Sequence, residues 1–204
     1  MIIIVDYKMG NLGSIVNMLK KIGSDAKISS DLSVIGKSDK LILPGVGAFD
    51  TGMKNINEMK LLPVLEQKAF KERVPILGIC LGMQIMTESS EEGQLKGLGW
   101  FKAMTIRFKF EKLDQKLKIP HMGWNFIKKA KNSSLLKGVD ENFRFYFVHS
   151  YHVVCDDDRD VLAITNHGYD FVSMFQKDNI SGVQFHPEKS HKFGMRILEN
   201  FVES

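Results

Sequence analysis

The apolar run Val74-Pro75-Ile76-Leu77 leads directly into Gly78-Ile79-Cys80-Leu81-Gly82. No other segment restricts the fold as much. It has the form G-x-[S/C]-x-G, a nucleophile held on a sharp turn between a strand and a helix. Such a turn forces its central residue into a strained backbone conformation. Neighbouring Cβ atoms would clash there, so glycines flank it. The turn lifts the sulfur above the end of a sheet, and the N-terminal amides of the next helix favour the thiolate. An isolated cysteine would be read as a packing residue. The glycines around Cys80 mark it instead as a nucleophile for acyl transfer.

The rest of the chain supplies a sheet for this turn. Residues 2–5, 26–29, 40–43 and 74–79 read as strands. Between them lie helical patterns, one entered through residues 10–14 with Ile15, Leu19 and Ile22 on one face, another over 50–71 with an interruption near Pro63. Strands alternating with helices predict a parallel sheet covered on both faces. After Gly93 the pattern changes. Residues 100–110, 124–128, 143–154, 161–165 and 171–176 read as strands joined by turns, with Asn166-His167-Gly168 and Lys177-Asp178-Asn179 as turn chemistry. Ser190 is placed to cap a last helix whose apolar stripe is Phe193, Ile197 and Phe201. The expected fold class is α/β, an open, mostly parallel sheet with flanking helices and an antiparallel extension in the second half. Without repeats or linkers, residues 1–204 are expected to form one domain.

Bulk properties exclude several roles. No apolar stretch approaches the roughly 20 residues needed to span a bilayer. The start, Met1-Ile2-Ile3-Ile4-Val5-Asp6, reads as a core strand and not as a signal peptide. Two cysteines, Cys80 and Cys155, make no disulfide framework, which fits a reducing cytoplasm. A net charge of +4 is too small to imply nucleic-acid binding. The charge is concentrated, however: Lys102, Arg107, Lys109, Lys112, Lys116, Lys118, Lys128, Lys129 and Lys131 face only Glu111 and Asp114. That stretch reads as a solvated hairpin face, or as a docking edge for an acidic partner surface.

A thiol nucleophile needs a base. Of the six histidines, His186 stands out, because it ends an apolar strand in Gly182-Val183-Gln184-Phe185-His186-Pro187-Glu188. Residues two apart in an extended segment project to the same side, so Glu188 can orient the imidazole and stabilise the imidazolium. Cys80, His186 and Glu188 thus compose a triad. Charge developing on the attacked carbonyl oxygen also needs fixed donors. The backbone N–H of Leu81 is one, and the Pro44-Gly45-Val46-Gly47 loop is placed to supply a second. No cluster with metal-ligand spacing is present, so neither a metal nor another cofactor is called for.

The segments 78–84, Gly-Ile-Cys-Leu-Gly-Met-Gln, and 182–190, Gly-Val-Gln-Phe-His-Pro-Glu-Lys-Ser, resemble the two signatures of class I (triad-type) glutamine amidotransferases. The order and spacing match, and the resemblance covers the whole chain. Within the family, the segments at 44–49, 120–125 and 146–151, together with Asp6-Tyr7 and Gly10-Asn11-Leu12, resemble the glutaminase branch that serves imidazole glycerol phosphate synthesis.

The resemblance implies hydrolysis of L-glutamine and transfer of ammonia, inside a heterodimer, to a separate (β/α)8-barrel synthase in histidine biosynthesis. A different synthase, amidating a nucleotide-linked or surface sugar, is the alternative acceptor. Carried over residue by residue, the resemblance places Val46 or Gly47 N–H beside Leu81 in the oxyanion hole after a change of loop conformation. It assigns glutamine recognition to Gln84 and Glu92, one and three turns along from Cys80, with backbone groups of His149, Ser150 and Tyr151. His121, Trp124, Asn125 and Tyr146 are expected toward the synthase, around the ammonia exit. Cys155, His167 and His191 are left as structural or surface residues.

Overall fold

In the computed structural model, residues 1–110 and 117–204 are described; Glu111, Lys112, Asp114 and Lys116 of the basic stretch lie outside the described residues. Short apolar strands and helices alternate through the first half. In order they are β1 (Ile2–Val5), α1 (Leu12–Lys21), β2 (Ala26–Ser29), α2 (Leu32–Gly36), β3 (Lys40–Leu43), α3 (Phe49–Glu58), α4 (Leu62–Glu66), β4 (Ile76–Ile79) and the single-turn α5 (Leu81–Gln84). There follow β5 (Ser89–Ser90), β6 (Ala103–Arg107), β7 (His121–Phe126), β8 (Lys128–Lys129), β9 (Arg144–His149), β10 (Tyr151–Cys155), β11 (Val161–His167), β12 (Tyr169–Lys177), β13 (Ile180–Val183) and α6 (His191–Glu203).

Among the described residues the main sheet runs β2-β1-β3-β4-β13-β12-β10-β6-β5, with β11 on β12 and β8 on β11. Pairing is parallel from β2 through β13 and antiparallel from β13 through β12 and β10 to β6. Strands β1 and β4 bury every side chain, which explains their continuous apolar sequence: both faces of a parallel sheet are covered. Alternate residues feed two separate cores. Ile2, Ile4, Ile42, Leu77 and Ile79 pack on one face, Ile3, Val5, Leu41, Leu43 and Ile76 on the other. The α/β class with its antiparallel extension is as the sequence reads.

Several local expectations change. Residues 143–154 are two strands broken at Ser150: β10 joins the main sheet, whereas β9 pairs with β7 in a separate ribbon, His121 opposite His149 and Trp124 opposite Tyr146. The helical stretch over 50–71 breaks at Lys60, whose φ is +54°, and Pro63 lies in the first turn of α4, where its missing N–H costs nothing. Strand β13 lies within the parallel part, although it belongs to the second half of the chain. It is buried throughout and pairs with β4, Gly182 opposite Gly78 and Val183 opposite Ile79. The Ser190 hydroxyl does not cap α6. It donates to His186 O and accepts from Tyr146 N–H, tying the turn after β13 to β9. The described part of the basic stretch is not one hairpin, since β6 pairs with β5 and β10 while β8 pairs with β11. Among the described residues no helix is long and apolar enough to cross a membrane.

The tightest approach in the parallel region is at Gly82, where an added Cβ would lie 1.7 Å from Leu43 O. That oxygen belongs to a central strand and cannot withdraw cheaply. Gly82→Ala is therefore expected to destabilise the fold by at least about 3 kcal/mol, seen as a lower urea midpoint with an unchanged m-value. A wild-type midpoint would contradict this packing.

Candidate active site

Cys80 follows β4 at φ +53°, ψ −109°, in the left-handed region that a side chain rarely adopts. Its N–H donates to Val183 O at 2.8 Å, so the strain is held by the β4–β13 pairing. An added Cβ on Gly78 would lie 2.6 Å from Gly82 O, and the glycines flanking the cysteine are thus required by contact. The following helix is a single turn, too short for the substantial dipole expected at the thiol. Side chains supply the sulfur's surroundings instead.

One is His186, whose N–H donates to Tyr146 O at 2.9 Å and whose Nδ1–H donates to Glu188 Oε1 at 2.8 Å. Both side chains are buried. The backbone joining them is not extended as the sequence reading had it. Only His186 is extended, and Pro187–Lys189 form a 3-10 turn that still brings the carboxylate under the ring. Nε2 makes no full hydrogen bond among the described residues, leaving it open toward Cys80. Burial opposes an imidazolium here, but hydrogen bonding and charge from Cys80 and Glu188 outweigh it and push His186 up to about 10. The imidazole therefore holds a proton at neutral pH and can deliver it to a leaving group.

Cys80 opens on a cavity of about 410 Å³ lined by Val46, Gly47, Leu81, Gln84, Glu92, Pro120, Val148, His149, Ser150 and Tyr151. All the oxyanion and substrate residues expected from sequence meet here. Their arrangement differs in detail. Leu81 N–H, the oxyanion donor expected from sequence, donates to Gly45 O at 3.4 Å and is engaged by the loop carbonyl. Gly47 has φ +118°, and the Tyr7 hydroxyl is buried without a hydrogen-bond partner among the described residues, where a Cβ on Gly45 would come within 2.7 Å. Glu92 is not three helical turns from Cys80. It follows β5 in a loop, and its Oε2 accepts from Phe49 N–H at 2.9 Å, at the start of α3. The next residues are pinned too, since Asp50 accepts from Gln94 and Leu95 N–H.

Gln84 donates from Nε2 to Tyr151 O and to Gln184 Oε1, each at 3.0 Å. Gln184, fully buried, donates from Nε2 to Cys80 Sγ at 3.7 Å. It lies inside the motif that carries His186, and sequence reasoning passed over it. A glutamine flanked by Val183 and Phe185 at an apolar strand end was the available signal, because a polar group buried there needs partners.

The four residues expected at the synthase side divide between two faces, because β7 alternates. Met122, Trp124 and Phe126 are exposed, with Trp124 edge-on to Tyr146 and stacked on His191. His121 and Asn125 point the other way. Asn125 Nδ2 reaches His121 Nε2 at 3.1 Å, His121 Nδ1 reaches His149 Nε2 at 3.0 Å, and His149 Nδ1 reaches Tyr151 O at 2.7 Å. A carbonyl can only accept, which fixes the whole chain: each ring donates from Nδ1 and accepts at Nε2, so both are neutral. Burial accordingly pushes His121 and His152 down to about 4 and His149 well below its usual value.

A family model described as glutamine amidotransferase class-I matches residues 3–204. The chain belongs to this family. Subunit HisH 2 of imidazole glycerol phosphate synthase from Methanococcus maripaludis is 56% identical over 203 residues, covering 100% of this chain and 99% of its own. The protein of the same description from Pseudomonas aeruginosa is 47% identical, with the same coverage. Among solved structures, PurLQS from Thermotoga maritima superposes with a TM-score of 0.72 at 17% identity, covering 99% of this chain and 97% of its own, a likeness of fold.

Two measurements test the electrostatics of this amidotransferase. Glu188→Gln keeps the shape of the triad and removes the charge behind His186, so turnover should fall by a factor on the order of 10² to 10⁴. The neutral histidines act on stability. Their folded values lie below the usual 6.5, so their contribution is complete above pH 6.5 and is lost as pH falls toward about 4. The thermal midpoint should drop across that window, and His152→Gln should flatten the drop.

Proposed function

We propose that this chain is the glutaminase subunit of an imidazole glycerol phosphate synthase, hydrolysing glutamine and passing ammonia to a partner synthase. The observation that carries the reading is the left-handed Cys80 opening on a cavity of about 410 Å³, with the buried, hydrogen-bonded His186–Glu188 pair beside it. The names carried by the near full-length relatives favour imidazole glycerol phosphate over a nucleotide-linked or surface sugar as the route for the ammonia.

The geometry supports the following cycle. Glutamine lies in the cavity with its α-ammonium toward Glu92 and its amide toward Gln84 and the backbone of His149, Ser150 and Tyr151. The Cys80 thiolate attacks the side-chain amide carbon, and the carbonyl π pair moves to oxygen. As the C–N bond breaks, His186 Nε2 protonates the nitrogen, leaving a γ-glutamyl thioester and ammonia. Neutral His186 then takes a proton from water. The resulting attack expels the sulfur as thiolate and releases glutamate. Oxyanion donors are Leu81 N–H and, once the loop turns, Val46 or Gly47 N–H. Because Gly45 O occupies Leu81 N–H at rest, the isolated subunit should turn over slowly.

The exposed face of β7, with Met122, Trp124 and Phe126, supplies an apolar surface for the partner. The ammonia exit runs on that side, near His121, Trp124, Asn125 and Tyr146, and the partner is a (β/α)8-barrel synthase in a cytoplasmic heterodimer. No metal or cofactor enters the cycle.

Cys80→Ala should abolish glutamine-dependent synthesis in the complex and spare synthesis from added ammonia; loss of both would mean a structural role for the thiol. A glutamine-like electrophile should label the Cys80 peptide, and no adduct in the presence of the partner and its ligand would contradict the enzymatic reading. Purification from the source organism identifies the acceptor. A sugar-amidating synthase bound to the chain would overturn the histidine route while leaving the glutaminase chemistry intact.

A further inference from the structure

We propose that Gln184 is a second working side chain at the nucleophile, a fixed amide donor that holds the Cys80 sulfur as thiolate and sets its direction. This rests on the glutaminase reading. The Gln184 side chain is completely buried immediately after β13, and its backbone N–H is already committed to Ser173 O at 2.9 Å. Its amide orientation is decided by its neighbours. Tyr151 O can only accept, and it takes hydrogen bonds from both His149 Nδ1 and Gln84 Nε2. Gln84 must therefore turn its NH₂ that way. The same NH₂ meets one end of the Gln184 amide at 3.0 Å, which must be the oxygen. The NH₂ of Gln184 is thereby left facing Cys80 Sγ at 3.7 Å.

A thiol accepts such a bond weakly and a thiolate accepts it strongly, so the contact favours ionisation. It is also used unevenly along the reaction. The thioester sulfur is a poor acceptor. Its bond to Gln184 weakens when the sulfur is acylated and is regained when the C–S bond breaks and the electron pair returns to sulfur. Gln184 thus assists departure of the thiolate in the hydrolytic half. Among the described residues, the other ionisable groups around this sulfur are His186, with Glu188 behind it, Tyr7, whose hydroxyl burial keeps un-ionised, and Glu92, His149 and Tyr151 along the cavity. The Gln184 amide adds a neutral donor within reach of the sulfur.

The test reads thiolate content directly on the whole 204-residue chain. The rate of iodoacetamide alkylation of Cys80 is followed by mass spectrometry of its own peptide from pH 5 to 10, which separates it from Cys155. Gln184→Met removes the amide donor at similar volume and adds no charge beside the sulfur. Gln184→Leu also removes it without charge and serves if the first variant is poorly folded. The midpoint of the profile should rise by about one pH unit or more, with labelling at neutral pH slowed roughly tenfold. Accumulation of acyl-enzyme with glutamine should accompany it. Well-folded variants with the wild-type profile would overturn the role of Gln184. A wild-type chain unreactive to a glutamine-like electrophile even with the partner synthase and its ligand present would instead overturn the glutaminase reading.

Discussion

The parallel pairing of β4 with β13 is the contact on which the molecule turns. One strand leads into Cys80 and the other toward His186, the proposed nucleophile and base, although more than a hundred residues separate them. The register places Val183 opposite Ile79, and the next bond, Cys80 N–H to Val183 O, closes the ladder at the strained residue itself. A left-handed cysteine is costly, and it persists because both strands are locked in a core buried on two faces. Glycines at 78 and 182 face one another in this pair, and each lies where a side chain would collide. Catalytic geometry and core packing are therefore one constraint.

A second layer of polar contacts surrounds that pair. Tyr151 O gathers His149 and Gln84, Gln84 passes to Gln184, and Gln184 reaches the sulfur. Outward, the same carbonyl connects through His149 and His121 to Asn125 on β7. Every member has its donors and acceptors assigned by a backbone group at one end. Such a network holds one arrangement well and tolerates a missing member poorly. Keeping its histidines neutral is part of that specification, since a proton on either ring would place two donors against each other.

Much of this was legible in the sequence where chemistry is encoded locally. The glycine-flanked Cys80 and the nearby pair His186 and Glu188 each sit in a short segment whose spacing has a physical meaning. Features that depend on distant partners were not legible. Nothing in residues 143–154 says that Ser150 divides two sheets, because that break is set by β7 and β6 competing for neighbours. Glu92 lines the cavity, but the route read for it ran along a helix that ends at Gln84, and its actual route is a loop pinned to α3. Ser190 has the residue type of a cap, yet its hydroxyl serves His186 and Tyr146, contacts that exist only in three dimensions.

The hydrogen bond between Leu81 N–H and Gly45 O contains no side-chain atom. A latch made of main chain cannot be deleted by changing the residues that form it, because every replacement carries the same amide and carbonyl, proline's missing N–H aside. Sequence drift at Val46 or Leu81 alters size and fit and leaves the donor and acceptor in place. What the latch does respond to is torsion, and the permitted torsions are set by Gly45, Gly47 and the strand that ends before them. Control of this site is thus written in backbone angles, a form that side-chain substitution reaches only indirectly.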